Sequence, residues 1–402
     1  MASNDILDTE LRRETNRNRF STHVERTEVA PTTQALSRSL PRIMSDFDFE
    51  TMTGADVNKL TIAIRKEFDG TWSTMWQDVS DELLKMAQIE GEAVTGVYQD
   101  FVPETLVPPT TKQIAAATET AVMTLTTDVS QSGTWAQWVR QNNDSTMRGI
   151  AGIVREGFNN NLTQHEINKQ LRGTYNRKTK KYEGGFLNGT ARARADSLTR
   201  TGVSHYANVA RDEFAVKNKS LIQGRTLFAT LDNTTTTICM GRHLNFYPAG
   251  EPFPNLPFHF NERSQYIFKT KGFDALNTDR TVVGGQKGAN AREGFEAKQG
   301  RTDKKVSYKG RKDSDIFDIQ TIDAKVTSDE FLRRQPRWFI ESTLGKERAR
   351  LFVDGDLKID RFTDMTGRQL TLKELQETNA GERAFRKATK PKATKPKATK
   401  PK

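Results

Sequence analysis

The chain has 402 residues, enough for at least two folded units, yet only 35% are apolar, 28% are charged and the mean hydropathy is -0.72. Much of it must therefore be arm, loop or tail rather than core. Apolar runs of a few residues fall far short of the roughly 20 needed to cross a bilayer, the opening MASNDILDTELRRE holds no signal core, and neither a membrane partner nor a secretory route is expected.

One cysteine, Cys239, excludes an internal disulfide and a zinc ribbon. The histidines His23, His165, His205, His243 and His259 form no i, i+4 pair, so no metal and no cofactor are expected. The formal charge of +11 is uneven: Lys387, Lys390, Lys392, Lys395, Lys397, Lys400 and Lys402 supply seven of these charges, leaving +4 for everything else.

In chain order, residues 1–53 mix charged residues with Thr, Ser, Pro31 and Pro41 and read as an extended arm, with a short helix near Ile6 to Arg19. Residues 54–187 read as helical. Leu60, Ile64, Phe68, Trp72, Met75, Trp76, Val79, Leu83, Met86 and Ile89 recur at threes and fours, the pattern of one long helix or of a helical pair broken at Gly70. Further helices are expected over 112–127 and 134–158, with Trp135 and Trp138 in the core. Thr163 and Glu166 form a capping box that starts another, running to about Leu171. A basic, glycine-rich loop, GTYNRKTKKYEGG, follows it.

Residues 188–216 predict one long helix, on which Thr201, His205, Asn208 and Asp212 share a polar stripe. After Gly224 strands are expected: RTLFATL, a hairpin CMGRHLNFY turning at Gly241 and Arg242, and PFHF. Residues 269–325 read as a polar insertion, whose GGQKG lacks the spacing and the following hydroxyl of a phosphate loop. From 326 to 386 a helical unit is expected, with capping boxes at Thr327/Glu330 and Thr371/Glu374 and a helix over 344–352. The last segment, 387–402, repeats ATKPK. Proline blocks helix there and lysine repulsion extends the chain, so a disordered tail is expected that neutralises phosphates of double-stranded DNA without sequence preference.

Three stretches resemble the phage Mu protein F-like minor head proteins, the head-morphogenesis family: RADSLTRTGVSHYANVAR, the series Phe228, Asp232, Cys239, Pro257, His259, Asn261 and Arg263, and the closing segment around Gln335, Pro336, Gly345 and Lys346. The likeness spans about half the chain. Glu262 stands where many members carry cysteine, so a thiol or metal pairing seen elsewhere does not carry over. The resemblance implies an α+β domain over 188–268 with a short antiparallel sheet, and a few copies per virion. It also implies a place inside the capsid near the portal, with portal protein or major capsid protein as partner and a role in head assembly or DNA delivery.

The polar set Thr201, His205, Asn208, Asp232, Cys239, Pro257, His259, Asn261 and Arg263 is expected to satisfy a polar core and not to catalyse, because no triad, carboxylate pair or metal set accompanies it. Two alternatives stand beside this reading: a nuclease or toxin-like effector carried in the virion, and an internal DNA-binding protein ejected with the genome.

Overall fold

The structure, a computed structural model, describes residues 4–125, 132–271, 275–285, 317–364 and 367–389. The fold is mixed α+β, dominated by helices with small antiparallel sheets. The chain divides into two compact units. The first gathers Asp8–Gly224 and Pro248–Phe273. The second gathers Arg225–Tyr247 and the described part of Asp274–Lys402, with the first turn of the N-terminal helix. The expected boundaries at 188 and 268 are thus replaced: the long helix after 188 belongs to the helical unit, and the segment after Gly224 belongs with the C-terminal region.

The N-terminal region is not an extended arm. Helix α1 (Asn4–Val24) passes through a π-helical turn, Glu25–Val29, into α2 (Ala30–Ser45). What orders it is tertiary: Val24, Val29, Leu36, Leu40 and Met44 are buried, a pattern too sparse to stand out from the polar residues between them. Pro31 sits in the first turn of α2, where its missing N–H costs nothing, and Pro41 lies inside the helix without ending it.

Helix α3 (Gly54–Gln99) is continuous over 46 residues, capped by reciprocal bonds between Thr53 and Asp56. Gly70 does not break it. One helical glycine costs about 1 kcal/mol, less than the burial of Phe68, Trp72, Met75 and Trp76 around it returns. After α4 (Thr111–Thr120), the short antiparallel pair β1 (Val122–Met123) and β2 (Gly133–Thr134) leads into α5 (Trp135–Asn159). The capping box at Thr163 starts α6 (Gln164–Arg172), and α6 ends at Gly173.

The basic loop after it is a hairpin, β3 (Thr174–Asn176) with β4 (Lys181–Glu183). A second π-helical turn, Phe186–Ala191, opens α7 (Arg192–Lys217). Trp72, Trp76, Trp135 and Trp138 are all buried in the core of this unit. Gly202 lets α7 approach closely, since a Cβ there would lie 2.7 Å from the Trp135 ring and 2.8 Å from Leu83 Cδ1.

The chain leaves the first unit along β5 (Ile222–Phe228), the expected strand. The expected hairpin at 239–247 is instead a helix, α8 (Thr237–Arg242), followed by β6 (Phe246–Pro248). PFHF forms no strand, its residues belonging to a bend and turn before β7 (Gln265–Thr270).

The insertion is not all loop. Strands β8 (Asp279–Gly285) and β9 (Phe317–Asp323) pair antiparallel over their whole length, from Asp279↔Asp323 to Gly285↔Phe317. The GGQKG string leaves the described residues after Gly285. Helices α9 (Ser328–Arg334), α10 (Arg337–Leu344), α11 (Lys346–Val353), α12 (Leu372–Glu377) and α13 (Asn379–Thr389) then enclose Phe331, Phe339, Ile340, Leu351, Phe352 and Phe362. Gly345, at φ 78°, separates α10 from α11, so the helix expected over 344–352 starts after it. Gln335 ties the unit together: its Oε1 accepts from Gly285 N (3.0 Å), and its Nε2 donates to Gln320 Oε1 (3.2 Å) and Phe331 O (3.3 Å).

Candidate functional site

The polar set expected from the sequence falls into two groups. Thr201, His205, Asn208, Pro257, His259, Asn261 and Arg263 belong to the helical unit, and Asp232 and Cys239 to the other. In the helical unit Thr201, His205 and Asn208 of the polar stripe of α7 are buried and Asp212 is half-buried. Thr201 Oγ1 donates to Ser197 O (2.8 Å) and accepts from the backbone N of Asn261 (3.0 Å).

Asn261 sits at φ 60°, a left-handed conformation that asparagine tolerates better than most residues. Its Nδ2 donates to Ser197 Oγ (3.0 Å), and its Oδ1 accepts from Arg200, whose Nε donates to Glu25 at 2.6 Å. Thr201 and Asn261 therefore clamp the turn after Pro257 onto α7. The Leu256–Pro257 peptide is cis. Glu262 accepts from Phe258 N (2.8 Å) and closes the same turn.

His259 Nδ1 is bonded to Phe260 O (2.8 Å), with Nε2 3.5 Å from Glu262. Asn208 donates to Ser204 O (2.8 Å) within its own helix. His205 is only 1% exposed and neither ring nitrogen has a hydrogen-bond partner. Burial depresses it to about 4, so the ring is neutral near pH 7. Arg263 lines, with Glu14, Arg17, Arg200 and Glu262, a cavity of about 20 Å³, room for one water and not for a substrate.

Asp196, on the same helix, is raised to about 6 by burial and by Glu25, against the pull of Arg192 and Arg200. A carboxyl so placed can hold a proton near neutrality. It pairs, however, with Arg192 at 3.6 Å, a contact along its own helix.

In the second unit Asp232 Oδ1 accepts from Thr234 N (2.9 Å), Thr234 Oγ1 (2.9 Å) and Thr235 Oγ1 (3.0 Å), which folds the polar run into a turn before α8. Cys239 is buried, lies in no disulfide, and accepts from Thr236 Oγ1 (3.1 Å). His243 cannot activate it as a cation. Its Nδ1 accepts from Ala229 N (3.2 Å), and burial, then Arg280, press it down to about 3. Arg280 lies over the Phe228 ring at 4.0 Å and donates to Ala229 O (3.1 Å).

Of the tail lysines, Lys387 belongs to α13 and not to a disordered tail, and its Nζ donates to Asp356 (3.2 Å). Lys390, Lys392, Lys395, Lys397, Lys400 and Lys402 lie outside the described residues.

The sequence reading missed a buried ionic cluster in the helical unit. Arg211, 1% exposed, bonds both oxygens of Glu10 (2.8 and 3.0 Å), Glu90 Oε1 (3.1 Å) and Tyr266 O (2.7 Å). Arg13 and Arg17 reach Glu90 at 2.8 and 2.9 Å. Burial alone would raise Glu90, but Arg17, Arg13 and Arg211 outweigh it and hold the carboxyl at about 2. The signal was present in two places: Glu10, Arg13 and Arg17 recur at threes and fours, and Glu90 interrupts the apolar stripe of α3.

The site as built is a set of side chains bonded to backbone and to one another. No family model matches the chain, and no curated protein or solved structure does.

Proposed function

We propose that this chain is a minor structural protein of a tailed-phage head, of the Mu protein F-like kind, acting inside the capsid near the portal in head assembly or DNA delivery. The observation that carries the reading is the motif resemblance, in which Thr201 and Asn261 take part. Their side chains hold the turn after Pro257 onto α7. Residues shared with a structural family and spent on structure suit an assembly protein better than a catalyst.

In this reading the helical unit docks on portal or shell protein. The ATKPK tail beyond Thr389 contacts packaged DNA through counterion release, without base readout. The chain works as a scaffold, without a cofactor. Co-expression with the portal protein of its own phage is the test: the account expects the two to co-purify through successive columns. Turnover of DNA or RNA by the purified chain, abolished by His259→Ala, would replace it with the nuclease alternative.

A further inference from the structure

The basic loop between α6 and α7 is built more firmly than a solvated charge run requires. Its two strands cross in backbone contact at the stem: a Cβ on Gly173 would lie 2.1 Å from Glu183 O, and one on Gly185 2.2 Å from Gly173 N. Gln34 clamps β4 from α2, donating to Tyr182 O (2.9 Å) and accepting from Tyr182 N (2.8 Å), while Asn188 Nδ2 holds Arg172 O (2.9 Å). The ribbon is thus fixed to the helical unit before any ligand arrives, and binding at its tip costs little ordering entropy.

The tip presents Arg177, Lys178, Lys180 and Lys181, four exposed cations in five residues. Lys180 stands at φ 53°, where glycine or asparagine would sit with less strain. Asn176 Oδ1 shapes the turn by accepting from Lys178 N (2.9 Å) and Thr179 N (3.4 Å). Glu183, the one acid of the hairpin, is occupied by Asn176 Nδ2 (3.0 Å) and Thr179 Oγ1 (2.7 Å) and does not pair with the cations. Backbone strain spent to place a lysine, beside an acid turned to neutral donors, marks a surface kept positive.

We propose that this hairpin tip grips the phosphates of duplex DNA through Arg177, Lys178, Lys180 and Lys181, independently of sequence; the inference rests on the DNA-contacting part of the function proposed above. A two-stranded ribbon is narrow enough to enter a major groove or lie along its phosphate rim. The tyrosines are not free to stack on unpaired bases: Tyr175 packs edge-on against Tyr182 at 5.2 Å, and Arg172 covers the Tyr182 ring at 4.7 Å. The tip carries no apolar side chain to insert into a lipid surface.

The test measures anisotropy of a short labelled duplex against salt concentration for four full-length proteins. They are the wild type, a hairpin variant (Arg177→Gln, Lys178→Gln, Lys180→Asn, Lys181→Gln), a tail variant with Lys390, Lys392, Lys395, Lys397, Lys400 and Lys402 changed to Gln, and a charge control with exposed Lys66, Lys112, Lys219 and Lys373 changed to Gln. The hairpin changes spare Asn176, Tyr182 and the stem glycines, and circular dichroism checks that the fold is kept.

Four phosphate contacts predict that the slope of log K against log salt becomes shallower by about 3 to 4 in the hairpin variant, and by less than about 1 in the control. An equal change in hairpin variant and control overturns the proposal, as does tighter hairpin-dependent binding to single-stranded DNA or to phosphatidylserine vesicles. A slope altered only in the tail variant overturns the hairpin site and leaves the tail reading standing. A wild type that binds no duplex overturns both.

Discussion

Arg211 is the side chain on which the helical unit depends most, because it is buried and holds two carboxylates and a carbonyl at once. Arg211→Met leaves Glu10 and Glu90 with less compensation inside the protein, and should cost about 3 to 5 kcal/mol in urea denaturation. His205 makes the opposite case. Its two nitrogens are desolvated without return, so His205→Leu should leave stability at pH 7 unchanged or higher.

The same residue sets an acid limit. The folded ring titrates near 4 against 6.5 in the open chain, so the unfolded state takes the proton first. Stability is full above pH 6.5 and falls by about 3 kcal/mol by pH 4. His243, depressed in the same direction, adds to the fall, and Glu90, held at about 2, contributes its own loss only below pH 4.5. Asp196 opposes them, since a carboxyl raised to about 6 favours the folded state below pH 3.8 and loses that contribution as pH rises through 6. His205→Leu should flatten the stability profile between pH 6.5 and 4; a profile as steep as the wild type's would contradict this assignment.

At the scale of elements, glycine position decides the sign of a substitution. Gly70 lies in α3 with open space around it, so Gly70→Ala should gain about 0.5 to 1 kcal/mol of helix stability. Gly202→Ala meets Trp135, whose ring is fixed by a bond from Nε1 to Ser80 Oγ (2.9 Å), and should lose about 1 to 3 kcal/mol. Opposite shifts in urea midpoint are the expected result, and a gain at both positions would show that α7 can retreat without cost.

Elements announced by reciprocal caps were readable in advance: Thr163 with Glu166, Thr327 with Glu330, and Thr371 with Glu374 each begin a helix where the spacing places it. Elements made by tertiary context were not. α8 has six residues, too few for a period to emerge, and Gly241 packs near the Asp360 backbone, a contact no local pattern encodes. α1 hides for another reason. Part of what it buries is ionic, and Glu10 and Arg13 read as solvent-facing until Glu90 and Arg211 are placed beside them.

For the whole molecule, two units with separate apolar cores, one centred on α3 and α7 and one on α9 to α11, explain how a chain with 35% apolar residues orders most of its length. The five boundaries drawn from the sequence do not coincide with these units, because the chain leaves the first at Gly224 and returns at Pro248. Contact order of that kind cannot be read from a linear pattern. The polar residues named from the sequence fall in two units and take different roles, and only the geometry shows that Thr201 holds the turn at Asn261.

Particles carry the decisive comparison. If the proposed head-protein function holds, virions purified through a density gradient and quantified by mass spectrometry should contain this chain at a few copies relative to the major shell protein. Its absence from intact particles, with the chain found only among free proteins of the lysate, would contradict the account at its root.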